Sequence, residues 1–215
     1  MNILFVGNSY TYYNDMPAIF QTLARENSKD VTVTAVTKGG RMLVAYKNPA
    51  DATTEKLAAA LQQHYDICVL QEQSVLPITG FDTFMEGLNL VMDMVKGHAD
   101  KFILYATWGR KAGHKVLLER GWDTERMTEM LAESYDKAAA HFAAEVSPVG
   151  KNFLAASRLT EVDLYNSDLT HPSYAGSVLS ALTHYYTVFK EFPKNTVSVE
   201  LDSDVIDIFR KVVCK

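Results

Sequence analysis

Cysteine is almost missing from this chain. Two thiols in 215 residues, Cys68 and Cys214, cannot build a thiolate metal site. No set of His, Asp and Glu stands at ligand spacing either, so no metal and no other cofactor is expected. A Cys68–Cys214 disulfide is open to the chain. Cys68 lies in an apolar strand-like run and Cys214 one residue from the end, however, and a buried thiol plus a tail thiol is the simpler reading. Any run of Lys or Arg is also missing. With 21 basic against 26 acidic residues the formal charge is −5, which leaves no electrostatic footprint for nucleic acid. No apolar run approaches the ~20 residues of a membrane helix, and no basic segment with a small-residue cleavage site precedes the first strand. These absences point to a cytoplasmic protein that binds neither nucleic acid nor membrane. Repeats, low-complexity tracts and linker-like stretches are lacking too, so residues 1–215 read as one domain.

What is present is an ordinary apolar fraction, 47%, arranged as alternating strand-like and helix-like segments. Ile3-Leu4-Phe5-Val6 is an unbroken apolar run, suited to a strand buried on both faces of a parallel sheet. It stops at the turn residues Gly7-Asn8-Ser9. Helical spacing of Ile19, Phe20, Leu23 and Ala24 follows, with Asn14 or Asp15 as cap and Pro17 in the first turn. Residues 31–36 alternate as a second strand nearer an edge, ending in Gly39-Gly40. Further strands are expected at 66–70, 101–107 and 146–149, and further helices at 51–64, 81–98, 123–145, 152–160, 172–190 and 205–213. A weak strand-like piece follows Pro193. The segment from Gly109 to Gly121 reads as a loop. Strands alternating with helices imply an α/β fold with a mostly parallel sheet covered on both faces.

In such sheets ligands bind outside the carboxyl ends of the strands. Those ends carry Ser9, Gly39-Gly40, Gln71-Glu72-Gln73 and Trp108. Ser9 is either a cap or turn residue or a nucleophile, and the nucleophile reading needs a base. Asp168-x-x-His171 supplies one. A carboxylate three residues before an imidazole can hold the ring in one tautomer and stabilise its cation. An imidazole with an unperturbed pKa of about 6.5 can take a serine proton near neutrality. The developing oxyanion would find donors in the N–H groups of Ser9 and Gly40 and in the side-chain amide of Gln73. Tyr10, Tyr12 and Tyr13 form either a pocket wall or a lid over the first helix. Arg41 and Arg110 line the pocket or stack on the surface. Glu72 reads as a solvated or capping carboxylate, and His64, His98 and His141 as surface residues. His184 reads as partly packed, and His114 as a possible substrate contact.

Gly7-Asn8-Ser9-Tyr10 resembles the Gly-Asp-Ser block of the SGNH (GDSL-type) hydrolases. Gly40 is similar to the glycine of their second block, and Asp168-Leu-Thr-His171-Pro172-Ser173, with Gly176 downstream, is similar to their last. The resemblance implies a flavodoxin-like three-layer α/β/α sandwich with a five-stranded parallel sheet in the order 2-1-3-4-5. It also implies hydrolysis of esters or acetylated sugars, with Ser9 as nucleophile, His171 as base and Asp168 as orienting acid. Two departures stand out. Asn8 replaces the usual aspartate. The third block, Gly-x-Asn-Asp in the family, is Gln71-Glu72-Gln73-Ser74, so Gln73 falls on the oxyanion asparagine and Gln71 puts a side chain where a glycine leaves space. The expected partner is a small acyl ester or an acetylated sugar. A carbohydrate- or acyl-binding module that has lost catalysis, and a flavodoxin-like domain binding phosphate at Gly7–Thr11, are the alternatives. Oligomeric state is not encoded in any of these features.

Overall fold

The computed structural model describes every residue from Met1 to Lys215. Five strands, β1 (Asn2–Gly7), β2 (Thr32–Thr37), β3 (Tyr65–Leu70), β4 (Ala99–Tyr105) and β5 (Glu145–Ser147), form one sheet in the order β2-β1-β3-β4-β5. Every pairing is parallel. This is the expected sheet. β1 is an interior strand between β2 and β3, and its side chains alternate between two cores as the period of a strand requires. Ile3 and Phe5 join one apolar cluster; Leu4 and Val6 join the other.

Ten helices accompany the strands. They are α1 (Ser9–Tyr12), α2 (Met16–Glu26), α3 (Ala52–Ala60), α4 (Leu76–Thr79), α5 (Phe81–Val95), α6 (Lys115–Arg120), α7 (Thr124–Phe142), α8 (Val149–Ala156), α9 (Tyr174–Phe189) and α10 (Ser203–Val213). Residues of α2, α8, α9 and α10 pack on the Ile3/Phe5 face. Residues of α3, α5 and α7 cover the other. Several starts follow from capping: the Asp51 side chain accepts from Thr53 and Thr54 N–H, Asp123 from Arg126, and Ser173 from Gly176. β2 is an edge strand, mostly only half buried, as its polar alternation suggested.

Some local expectations are corrected. The segment after Pro193 forms no strand; it is pinned instead by Asn27, whose Oδ1 accepts from Lys194 and Asn195 N–H at 2.7 and 2.9 Å. Neither Asn14 nor Asp15 caps α2 with its side chain; both are left-handed, at φ 52° and 54°. The Asn14 amide turns away to donate to Pro172 O and Ser177 Oγ. β4 lies two residues earlier than expected, and the loop between Gly109 and Gly121 contains α6, capped by His114. The cysteines follow the expectation: Cys68 is buried and Cys214 exposed, both as free thiols.

One glycine sets how closely the last layers approach. Gly176, in the first turn of α9, sits against the Leu164 carbonyl, and a Cβ there would fall 2.3 Å from that oxygen and 2.7 Å from the Phe153 ring. In an open helix Gly→Ala stabilises by about 0.5–1 kcal/mol. Here overpacking reverses the sign: Gly176→Ala is expected to lower the unfolding free energy by about 1–3 kcal/mol, read as an earlier midpoint in urea denaturation at unchanged m-value.

Candidate active site

β1 ends at Gly7, and the residue that caps α1 is Asn8 rather than Ser9. The Asn8 Oδ1 accepts from Tyr10 N–H at 3.1 Å and its Nδ2 donates to Arg41 O at 3.0 Å. The turn role suggested for Asn8 is thus filled, and the capping reading of Ser9 falls away. Ser9 opens α1 with its side chain in no capping contact, at the carboxyl edge of the sheet.

The Asp168–His171 turn lies 162 residues downstream and meets it there: His171 Nε2 stands 2.9 Å from Ser9 Oγ. Asp168 Oδ2 stands 2.5 Å from His171 Nδ1, and its Oδ1 accepts from Thr170 and His171 N–H at 3.0 and 2.9 Å. Burial alone would raise the Asp168 pKa, but the hydrogen bonds from the His171 ring and from the two N–H groups outweigh it and hold the carboxyl below its usual value. An ionised carboxylate on Nδ1 assigns the ring proton there and turns the Nε2 lone pair to Ser9. The turn needs Leu169 at φ 61°, a conformation that costs a branched residue on the order of 1 kcal/mol. It is held by Lys111 N–H donating to Leu169 O, Trp108 Nε1–H donating to Thr170 O and the Asn14 amide on Pro172 O. Tyr13 stacks flat on the imidazole, ring centroids 4.3 Å apart.

A cavity of about 340 Å³ opens over this pair, lined by Ser9, His171, Gly40, Gln73, Tyr10 and Arg110 among others. Gly40 has φ 65° and open space beside it. The N–H groups of Ser9 and Gly40 donate to no other group of the chain. The Gln73 Oε1 accepts from Val75 and Leu76 N–H at 3.0 and 3.1 Å, capping α4. That contact fixes which end of the amide is which and leaves Nε2 without a protein acceptor.

Two residues expected at the pocket stand behind it. Gln71 is 1% exposed; its Oε1 accepts from Asn8 N–H at 2.8 Å and Thr11 Oγ1 at 3.0 Å. Trp108 is fully buried, stacked between Tyr10 and Phe153 at 4.6 and 4.1 Å. Both brace the walls. Of the tyrosines, Tyr10, Tyr12 and Tyr13 all line the cavity. His114 caps α6 through Nδ1 and is not in the lining; His184 is wholly buried with both ring nitrogens unpartnered, and burial lowers its pKa to about 3.

Glu72 is the largest departure from the reading of the sequence. It is fully buried rather than solvated. Its carboxyl accepts from Leu43 N–H at 3.1 Å and Gln73 N–H at 2.5 Å, and its own N–H donates to Tyr135 Oη at 3.3 Å. Burial raises its pKa to about 7, against the lowering effect of those two N–H donors. The group therefore ties the loop after Gly40 to the loop of Gln73. The available signal was its position directly after a buried strand.

In sequence, neither a family model nor a curated protein matches the chain. Solved structures do. A protein of Slackia heliotrinireducens described as an SGNH hydrolase is 31% identical, with a TM-score of 0.75 over 87% of this chain and 98% of that one. A DUF4886 family protein of Bacteroides uniformis matches 100% of this chain and 93% of its own with a TM-score of 0.82 at 15% identity. An acetylxylan esterase of Geobacillus stearothermophilus matches 91% and 95% with a TM-score of 0.58 at 14% identity; at that identity the likeness is one of fold. The fold, the strand order and the first of these similarities agree, and the chain belongs to the SGNH hydrolases.

Proposed function

We propose that this protein is a serine hydrolase of small acyl esters, O-acetyl groups on carbohydrates among them, formed by a single domain and working through an acyl-enzyme. The observation that carries the reading is the continuous relay Asp168–His171–Ser9 opening into the same cavity as three unengaged donors. In this reading Ser9 Oγ attacks the ester carbonyl as His171 Nε2 takes its proton. Asp168 keeps the ring in the tautomer that can accept and stabilises the imidazolium, a cation that also lies against the Tyr13 face. The N–H groups of Ser9 and Gly40 and the Gln73 Nε2 receive the oxyanion. His171 then returns the proton to the departing alcohol, and water enters by the same route in reverse to free the acid. Gln73 takes the place of the family's asparagine in this scheme, and its capping contact is what aims it. The acetylxylan esterase among the similar folds supports an acetyl ester as one substrate.

A fluorophosphonate probe tests the nucleophile. The expected result is an adduct on Ser9 by mass spectrometry that is lost in His171→Ala; a folded wild-type protein left unlabelled at Ser9 sinks the reading and favours a binding module. Gln73→Glu preserves the cap on α4 while removing the donor, and is expected to lower kcat on the order of 10²-fold or more with a smaller change in KM.

Glu72 gives a stability test independent of turnover. The folded chain holds its proton up to about pH 7, whereas the unfolded chain releases it near 4.5. The unfolded state thus binds fewer protons between those values, and stability falls as pH rises through that window, by at most about 3 kcal/mol from this group. Glu72→Gln retains an acceptor for both N–H groups. It is expected to gain stability relative to wild type between pH 5 and pH 8 in urea denaturation.

A further inference from the structure

Two arginines of this chain are equally buried, each 7% exposed, yet they are satisfied differently. Arg41 has a carboxylate: its Nη1 lies 2.7 Å from Asp51 Oδ1, and its guanidinium also stacks over the Tyr46 ring. Arg110 has none. Its Nη1 donates to the Tyr10 hydroxyl and its Nη2 to Ser74 Oγ, both neutral oxygens; its Nε, like that of Arg41, is buried without an acceptor. A guanidinium carries five N–H donors, and beyond these two bonds each Nη keeps a second N–H unclaimed. The carboxylate whose field reaches it is Asp168, and both oxygens of Asp168 are already taken by His171 and Thr170.

The place of this unmatched cation matters. Arg110 lines the cavity over Ser9, and the twelve residues of that lining include no Asp or Glu. In a chain of net charge −5, the cavity therefore carries positive formal charge alone. Burying a cation without a partner is costly. The frame around Arg110 is built to hold it: Tyr10 is stacked on Trp108, Trp108 on Phe153, and the Arg110 N–H is itself fixed on Met127 Sδ. Burial lowers its pKa to about 10, so it remains charged at neutrality. A planar fork with free donors, preset in a small cavity, is the arrangement that selects a carboxylate.

We propose that Arg110 is a specificity-determining residue and that the preferred substrates are small esters bearing a carboxylate within reach of its guanidinium. This inference rests on the hydrolase reading of Ser9 and names the substrate class of that site. The carboxylate can belong to the acyl group or to the alcohol, and the two sources are separable by experiment.

The test uses two pairs of esters: monomethyl succinate against methyl succinamate, and acetyl glycolate against acetyl glycolamide. Each pair differs only by carboxylate against neutral amide, on the acyl side in the first and on the alcohol side in the second. Wild type is expected to favour the carboxylate in one pair by about 10- to 100-fold in kcat/KM, the range of a hydrogen bond to a charged group. Arg110→Met is expected to bring that ratio close to one, and Arg110→Lys to restore part of it. A purely structural arginine would lower both members together and leave the ratio in place, which overturns the proposal. So does a wild-type ratio at or below one in both pairs, a result that stands even if Arg110→Met fails to fold. Ser9 labelled by fluorophosphonate with none of the four esters turned over overturns the carboxylate preference alone; Ser9 unlabelled overturns the hydrolase reading beneath it.

Discussion

The side-chain amide oxygen of Gln71 holds the turn of Ser9 to the sheet. Accepting from Asn8 N–H and Thr11 Oγ1, it joins the end of β3 to the end of the neighbouring β1 in a fully buried place, where a donor left unmet costs about 1–3 kcal/mol. The contact also dictates the residue beneath it, since a Cβ on Gly7 would fall 2.7 Å from that oxygen and 2.4 Å from Thr11 Oγ1. With the turn fixed, Asn8 is free to cap α1 and to reach across to Arg41 O, and Ser9 is left at the start of the helix with its hydroxyl facing His171. The Gln71 side chain, 1% exposed, is thus a support of the turn rather than a wall of the cavity.

From this anchor the site is built by three loops that would otherwise move separately. Glu72 ties two of them, carrying Gly40 and Gln73, through N–H donors from Leu43 and Gln73. The third, carrying Asp168 and His171, is secured by Asn14 and Trp108. Each tie comes from a side chain that never reaches the cavity. The charges follow the same division: a carboxyl that burial keeps partly protonated lies behind one wall, and a guanidinium without a counter-ion lies in another.

The sequence was legible where physics is local. An apolar run of one strand, helical spacing on α2, and a carboxylate three residues before an imidazole are short-range patterns, and they located the sheet, its order through the family resemblance, and the meeting of Ser9 with His171. It was less legible where the outcome depends on what lies across the fold. Glu72 and Gln71 sit side by side in one polar string, and nothing in that string says that both are buried by the loop at Leu43 and the turn at Asn8. Trp108 follows a strand end like a pocket residue, but α8 brings Phe153 against it. The end of β4 was placed too late because β5 offers only three residues to pair with, and the strand-like tail failed because Asn27 takes the N–H groups of Lys194 and Asn195.

The separation between Ser9 and His171, 162 residues, has a bearing on how the chain folds. Closing a loop of that length carries an entropy that grows only logarithmically with its size, but it must be met before the contacts that reward it exist. β1 pairs with β2 and β3 within the first 70 residues, whereas the contact of the histidine with the serine depends on the turn that leads into α9. A chain with its sheet formed but α9 undocked would therefore be structured and yet lack the Ser9–His171 contact.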